Sequence, residues 1–265
     1  MLLFVLQAQA SHHAKNVQII LSYSVDFPSY PDITQAFQDS LADYDLNFVY
    51  LDSKNNWSNE YQTITSQYLA KKQQLATEKF DLIITVDDNA LNFVRNNYAS
   101  MYADIPVIFM GINDVNKLNW AKKQTHFTGF YEAPSFTENL LYAQNLFPDS
   151  DTIHIINDAS PSTRANTKQL IRAAHSLNIN NRLHLLSLED LNWNQLEQSL
   201  SMIPSNEPII LLSAYIDNTG ERRTFQHGLN GLLENTDAAI ITFWSHGLGK
   251  GILGGHIINP YKHAE

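Results

Sequence analysis

The chain contains no cysteine, which excludes disulfide bridges, thiolate catalysis, cysteine-ligated zinc and iron–sulfur clusters. Basic residues are few: 17 Lys and Arg stand against 27 Asp and Glu, a formal net charge of −10. With no Lys/Arg run, neither nucleic acid nor an anionic membrane surface is an expected partner. No stretch approaches the ~20 apolar residues that span a bilayer. The G-x-S-x-G, H-E-x-x-H and P-loop signatures are missing too. The ten histidines are scattered, and only His12 and His13 are adjacent. No catalytic residue, no metal site and no cofactor are therefore expected.

The 265 residues, 44% of them apolar, are enough for two modest lobes. Residues 1–14 read as the remnant of an export signal or as disordered chain, because a short apolar run, Leu2 to Leu6, precedes the small residues of Ala8-Gln9-Ala10. Beyond them, near-continuous Val/Ile/Leu runs such as DLIITV, PVIFM and PIILL suit strands buried on both faces of a parallel sheet. Strands are expected at 17–23, 47–51, 81–86 and 106–110, and again at 152–157, 183–186, 208–213 and 238–243. Helical stripes separate them: Ile33, Phe37, Leu41 and Tyr44 in one, Leu170, Ile171, Ala174 and Leu177 in another, Phe225, Leu229, Leu232 and Leu233 in a third. The pattern runs once to about residue 112 and restarts near 150. It predicts an α/β chain of two Rossmann-like lobes with parallel sheets, and reads HFTGFYE (126–132) as an extended segment crossing between them.

One motif points elsewhere. GLGKGILGG, from Gly247 to Gly255, contains a complete G-x-G-x-x-G. A dinucleotide loop also needs a helix opening at its third glycine and an acidic residue about 20 positions on. Here the next residues are HIINP and the chain ends at Glu265. The glycines are better read as tight backbone where the chain passes between units.

Ligands of open parallel sheets sit beyond the carboxyl ends of the strands. Those ends carry Tyr23 and Phe27; Asp87, Asp88 and Asn89; Asn113; Asp158 and then Arg164; Tyr215 and Asp217; and Trp244, with Tyr131 and Glu132 on the crossing segment. Asp88 also fits a helix cap and Asn113 a turn. Taken together, aromatic faces with a few carboxylates and amides are what a small-molecule cleft requires. Many carboxylates and no evident cleft arginine lean toward a cationic amine, with a neutral polyol or sugar close behind; Arg164 is the residue that would reverse that preference. An enzyme is the weaker reading, since the adjacent pair Asp87/Asp88 lacks the separation that paired acids need.

In order along the chain, SYSVDFPSYPDI, FDLIITVDDNALNFV, IPVIFMGIND, FTGFYE and GKGILGG resemble the ABC-transporter substrate-binding-protein-like family. The resemblance spans about Val17 to Pro260. It implies the type I periplasmic-binding-protein fold: a first lobe of 15–120 joined by 245–265, a second lobe of 121–244, and a hinge that closes on an amine, amino acid or sugar-like ligand. Members occur as free binding proteins serving an ABC permease and as extracytoplasmic sensor regions of membrane histidine kinases and diguanylate cyclases. The phrasing of VDDNALNFV with GIND is closer to the sensor branch. The family pattern continues beyond the GG pair where this chain stops, which also fits a sensor that runs on into a membrane helix and a signalling domain. The resemblance thus implies a periplasmic location as part of an inner-membrane protein, with a homodimer as a further expectation.

Overall fold

The computed structural model describes residues 15–56, 58–75 and 79–265. The expected export-signal remnant, 1–14, lies outside them. Nine strands are found among the described residues: β1 (Asn16–Leu21), β2 (Asp45–Tyr50), β3 (Leu82–Val86), β4 (Val107–Ile112), β5 (Phe127–Tyr131), β6 (Ile153–Asn157), β7 (Leu183–Ser187), β8 (Ile209–Leu211) and β9 (Ile240–Thr242). They form two all-parallel sheets, in the orders β2-β1-β3-β4-β5 and β7-β6-β8-β9. In the first lobe the connecting helices are α1 (Tyr30–Ser40), α2 (Asn59–Leu75), α3 (Asp87–Asn97) and α4 (Val115–Ala121). In the second they are α5 (Phe136–Leu146), α6 (Pro161–Ser176), α7 (Trp193–Leu200) and α8 (Phe225–Glu234); α9 (Pro260–Ala264) closes the chain.

The apolar runs are continuous because each sheet is covered on both sides. Side chains alternate along a strand, so Ile19 and Leu21 pack with Ile33 and Phe37 of α1 on one face. Ile20, between them, packs with Leu91 and Val94 of α3 on the other. In the second lobe Ile156, Leu211 and Ile240 meet Trp193, Leu196 and Leu229 of α7 and α8, while Ile155, Ile210 and Ile241 meet Leu140 and Leu170 of α5 and α6.

Two boundaries differ from the expectation. The segment 126–132 is the edge strand of the first sheet before it crosses, so that sheet ends at Tyr131 and not at 120. Gly129 permits this, since a Cβ there would collide with the backbone of Phe109. The chain beyond 245 also stays with the second sheet at first. Residues 253–258 run parallel to β9, where Leu253 N donates to Ile240 O (2.9 Å), Thr242 N to Gly254 O (3.0 Å) and Ile258 N to Phe243 O (2.8 Å). Only α9 returns to the first lobe, packed on α1, with Tyr261 Oη donating to Asp39 Oδ2 at 2.8 Å. The glycine motif therefore serves backbone approach: a Cβ on Gly255 would sit 2.5 Å from Thr242 O and against Asn139 Oδ1. No helix opens at Gly254; the next is α9.

Candidate functional site

The carboxyl ends of both sheets face a common cavity of about 80 Å³. From the first lobe its walls take Tyr23, Phe27, Ser29, Tyr30, Lys54, Asp87, Asn113 and Glu132; from the second, Ser162, Thr163, Asn166, Ser213, Tyr215, Trp244 and His246. An outer cavity of about 470 Å³ shares Phe27, Lys54, Tyr215 and His246 with it and adds Asp26, Arg223, Phe225 and Lys250. Rings from both lobes meet across the gap. Phe27 stacks on Tyr215 (centroids 6.2 Å) and touches His246 edge-on at 5.3 Å.

Asp87 is the sharpest feature of the first lobe. It is the first residue of α3, yet has φ +69°, a left-handed conformation that side-chain-bearing residues seldom adopt and that tends to mark functional positions. Gly111 faces it; a Cβ there would come within 3.0 Å of Asp87 Oδ1. The Asp87 carboxylate accepts from Tyr30 Oη (3.0 Å), and that phenol oxygen accepts in turn from Tyr23 N (2.9 Å). Burial, reinforced by the neighbouring Glu132, drives the Asp87 pKa well above the ordinary carboxylate value. Burial raises Glu132 as well, against opposing hydrogen bonds from Asn113 Nδ2 (3.1 Å) and Trp244 Nε1 (3.0 Å). The Trp244 bond spans the two lobes.

The second lobe's Asp158 is treated differently. It accepts from Ser160 N (2.9 Å), Ser213 Oγ (2.7 Å) and Tyr215 N (3.1 Å). Burial alone would raise its pKa, but the charge of Lys54 and the bonds from Ser160 and Ser213 outweigh it, and the pKa falls below the ordinary value. Asp158 therefore stands behind the wall as an ionised, saturated brace.

Of the twelve residues expected at the site, seven line the inner cavity: Tyr23, Phe27, Asp87, Asn113, Glu132, Tyr215 and Trp244. The other five serve the frame around it. Asp88 holds the turn after β4, accepting from Asn113 N and Asp114 N (both 3.3 Å) and pairing with Lys117 at 3.4 Å. Asn89 donates to Ser53 Oγ (2.8 Å) and so fixes the loop that carries Lys54. Tyr131 donates across the lobes to Gln169 Oε1 at 2.8 Å. Asp158 braces, as described. Asp217 accepts from Trp193 N (3.1 Å), Thr219 N (2.9 Å) and Glu221 N (2.9 Å), organising its own turn and the start of α7. Arg164, the residue expected to favour an anionic ligand, is half-exposed and paired with Glu189 at 2.6 Å.

Wall residues that the sequence did not single out as ligand contacts include Lys54, Asn166 and His246. The Lys54 ammonium lies 4.6 Å from the centre of the Tyr215 ring and 5.2 Å from that of Tyr23. Asn166 Oδ1 and Tyr215 Oη are buried and have no hydrogen-bond partner. His246 contacts Ser29 of the first lobe, and burial together with the charge of Lys54 lowers its pKa to about 4.

No family model matches the chain, and no curated protein does. Solved structures do. The ABC domain from Streptococcus pneumonia in complex with L-Trp aligns over 95% of this chain and 81% of its own, with TM-score 0.66 and 17% identity. A ligand-free, open substrate-binding protein with adhesive properties from Clostridium difficile aligns over 95% and 83%, with TM-score 0.56 and 18% identity. A periplasmic binding protein/LacI transcriptional regulator from Alkaliphilus metalliredigens, complexed with D-xylulofuranose, aligns over 95% and 87%, with TM-score 0.57 and 11% identity. At these identities the likeness establishes the architecture: two Rossmann-like lobes with parallel sheets, as in the type I periplasmic-binding-protein-like structures.

Proposed function

We propose that the chain is an extracytoplasmic small-molecule-binding module, the sensor region of a membrane histidine kinase or diguanylate cyclase, with its ligand held between the lobes. On this reading the chain catalyses nothing itself. The observation that carries it is the pair of unpartnered polar atoms, Tyr215 Oη and Asn166 Oδ1, buried on a wall opposite Asp87. Leaving a buried polar group unpaired costs about 1–3 kcal/mol, and a ligand that bonds to them recovers that cost. A ligand that reaches from these atoms to Asp87 touches both lobes, so it binds the closed arrangement better than an open one, and only that difference in affinity moves the equilibrium. The L-Trp and D-xylulofuranose in the structural relatives support solutes of this size for the fold.

A free binding protein serving an ABC permease is the second reading, favoured by the relative described as a substrate-binding protein. The continuation of the gene separates the two: a membrane span followed by a kinase or cyclase domain supports sensing, a stop codon transport. No helix among the described residues is long and apolar enough to cross a membrane.

The binding reading is tested by a thermal-shift screen of amines, amino acids, sugars and nucleosides. A ligand at 100 times its dissociation constant adds about 2.7 kcal/mol of stability. Tyr215→Phe, which removes only the unpartnered hydroxyl, is expected to lose most of that gain while melting normally without ligand. An unchanged gain in this variant overturns the assignment.

A further inference from the structure

We infer that Lys54 is the anion-reading residue of the cleft: its ammonium and the Tyr215 hydroxyl together take a carboxylate of the ligand, which is accordingly an acid or a zwitterion and not a simple amine. The inference rests on the cleft reading above and deepens it.

The argument begins with where the positive charge already is. The ring faces of Tyr23 and Tyr215, suited to enclosing a cation, have the chain's own ammonium beside them, at 5.2 and 4.6 Å. A second cation brought to the same rings would meet Lys54 at close range. The ionised Asp158 offsets part of that charge, but its oxygens already accept from Ser160 N, Ser213 Oγ and Tyr215 N, so what the wall still offers an incoming group is donors. Two contacts of the ammonium, with Ser160 Oγ and Ser213 Oγ, are 3.4 and 3.5 Å long, near the outer limit of hydrogen bonding. An ammonium carries three donors, and the adjacent Tyr215 Oη has no partner. An acceptor with two oxygens satisfies both groups.

The backbone holds Lys54 in place for this role. Leu51 N donates to Leu21 O and Ser53 N to Ser22 O, each at 2.9 Å. Asn89 Nδ2 grips Ser53 Oγ at 2.8 Å. From the second lobe, the Arg222 guanidinium donates to the Lys54 carbonyl. A donor fixed beforehand loses less entropy when it binds. Lys54 also lines the outer cavity, together with Arg223 and Lys250, so an anion entering from that side can reach it.

Another part of the inner cavity has the opposite character. Asp87 has no Lys or Arg at ion-pair distance among the described residues, and the nearest basic group to Glu132 is His263 Nδ1, at 3.9 Å. The cleft is therefore polarised, with a donor end at Lys54 and Tyr215 and an acceptor end at Asp87 and Glu132. The ligand that uses both ends carries a carboxylate and an ammonium and lays an apolar body against Phe27 and Trp244.

Calorimetric titration of the full chain with matched compounds decides the matter: L-phenylalanine, phenethylamine and 3-phenylpropionate, and the aliphatic set L-leucine, 3-methylbutylamine and 4-methylpentanoate. In the wild type, carboxylate-bearing members are expected to bind and the amines to bind more weakly or not at all. A hydrogen bond to a charged group sets the scale, so Lys54→Met weakens the carboxylates roughly 10- to 100-fold. Lys54→Arg retains part of their affinity, and the amines are unaffected or improved by Lys54→Met. Circular dichroism and melting of each variant confirm that it is folded. Tighter binding of amines than of carboxylates, or carboxylate affinity unchanged in Lys54→Met, overturns the Lys54 assignment and leaves the cleft reading intact. A protein that binds no member of either set, nor any compound of the wider screen, overturns both.

Discussion

Both lobes place an aspartate just beyond a buried parallel strand, Asp87 after β3 and Asp158 after β6, and the two behave oppositely. Asp158 is fully buried but has three donors and a nearby ammonium, so it stays ionised. Asp87 has one phenol and acidic neighbours, so it favours its proton. The same residue at the same topological place thus ends as a brace in one lobe and as part of the cavity wall in the other, depending on how many donors the local backbone and hydroxyls supply. The second lobe spends its carboxylates on its own turns, at Asp158 and Asp217. The first leaves Asp87 and Glu132 available to a guest.

The largest effect that separates the two is expected from Asp158→Ala. It strips the acceptor from three buried donors beside Lys54, and the predicted loss is about 3–5 kcal/mol in urea unfolding. A loss under 1 kcal/mol would mean that Asp158 is no brace.

A smaller effect concerns His246, whose folded pKa of about 4 lies below the ordinary histidine value of about 6.5. The unfolded chain then binds more protons between these values, so stability falls as pH drops through that window. For this one group the loss is about 3 kcal/mol. His246→Asn is expected to flatten the profile there, and an unchanged slope contradicts the prediction.

Asp87→Asn carries a stability change of the opposite sign. A raised folded pKa means that the native protein keeps a proton the unfolded chain releases above about 3.8; stability is lost as pH rises, and the neutral amide avoids that loss. The variant should therefore be more stable than wild type at pH 7, with the advantage vanishing below about pH 4. A variant less stable at pH 7 would put Asp87 in the same class as Asp158.

Much of the architecture was legible in the chain because strands covered on both faces must be apolar throughout; eight of the nine were foreseen, and DLIITV, PVIFM and PIILL could be little else. FTGFY was not recognised as β5 because its place in the sheet depends on Gly129 fitting against Phe109, a contact outside the local pattern. The wall residues Tyr23, Asp87 and Tyr215 were legible from the rule that ligands gather at strand ends. Lys54 was not: its ammonium is placed by hydroxyls on residues 160 and 213 of the other lobe, and no local spacing encodes that. Asn166 follows helical spacing within α6 like any surface residue, and only its burial and unused oxygen mark it. Asp88 and Asp217 have the composition of site residues, but backbone donors lie nearer to them than the cavity does.

The central claim is that one guest is gripped by side chains from both lobes. Its most direct test is the dissociation constant, by calorimetry, of the tightest ligand from the screen for wild type, Asp87→Asn and Tyr215→Phe. Each variant is expected to weaken binding by roughly 10-fold or more while remaining folded. Wild-type affinity in either one would place the ligand against a single lobe and contradict the account.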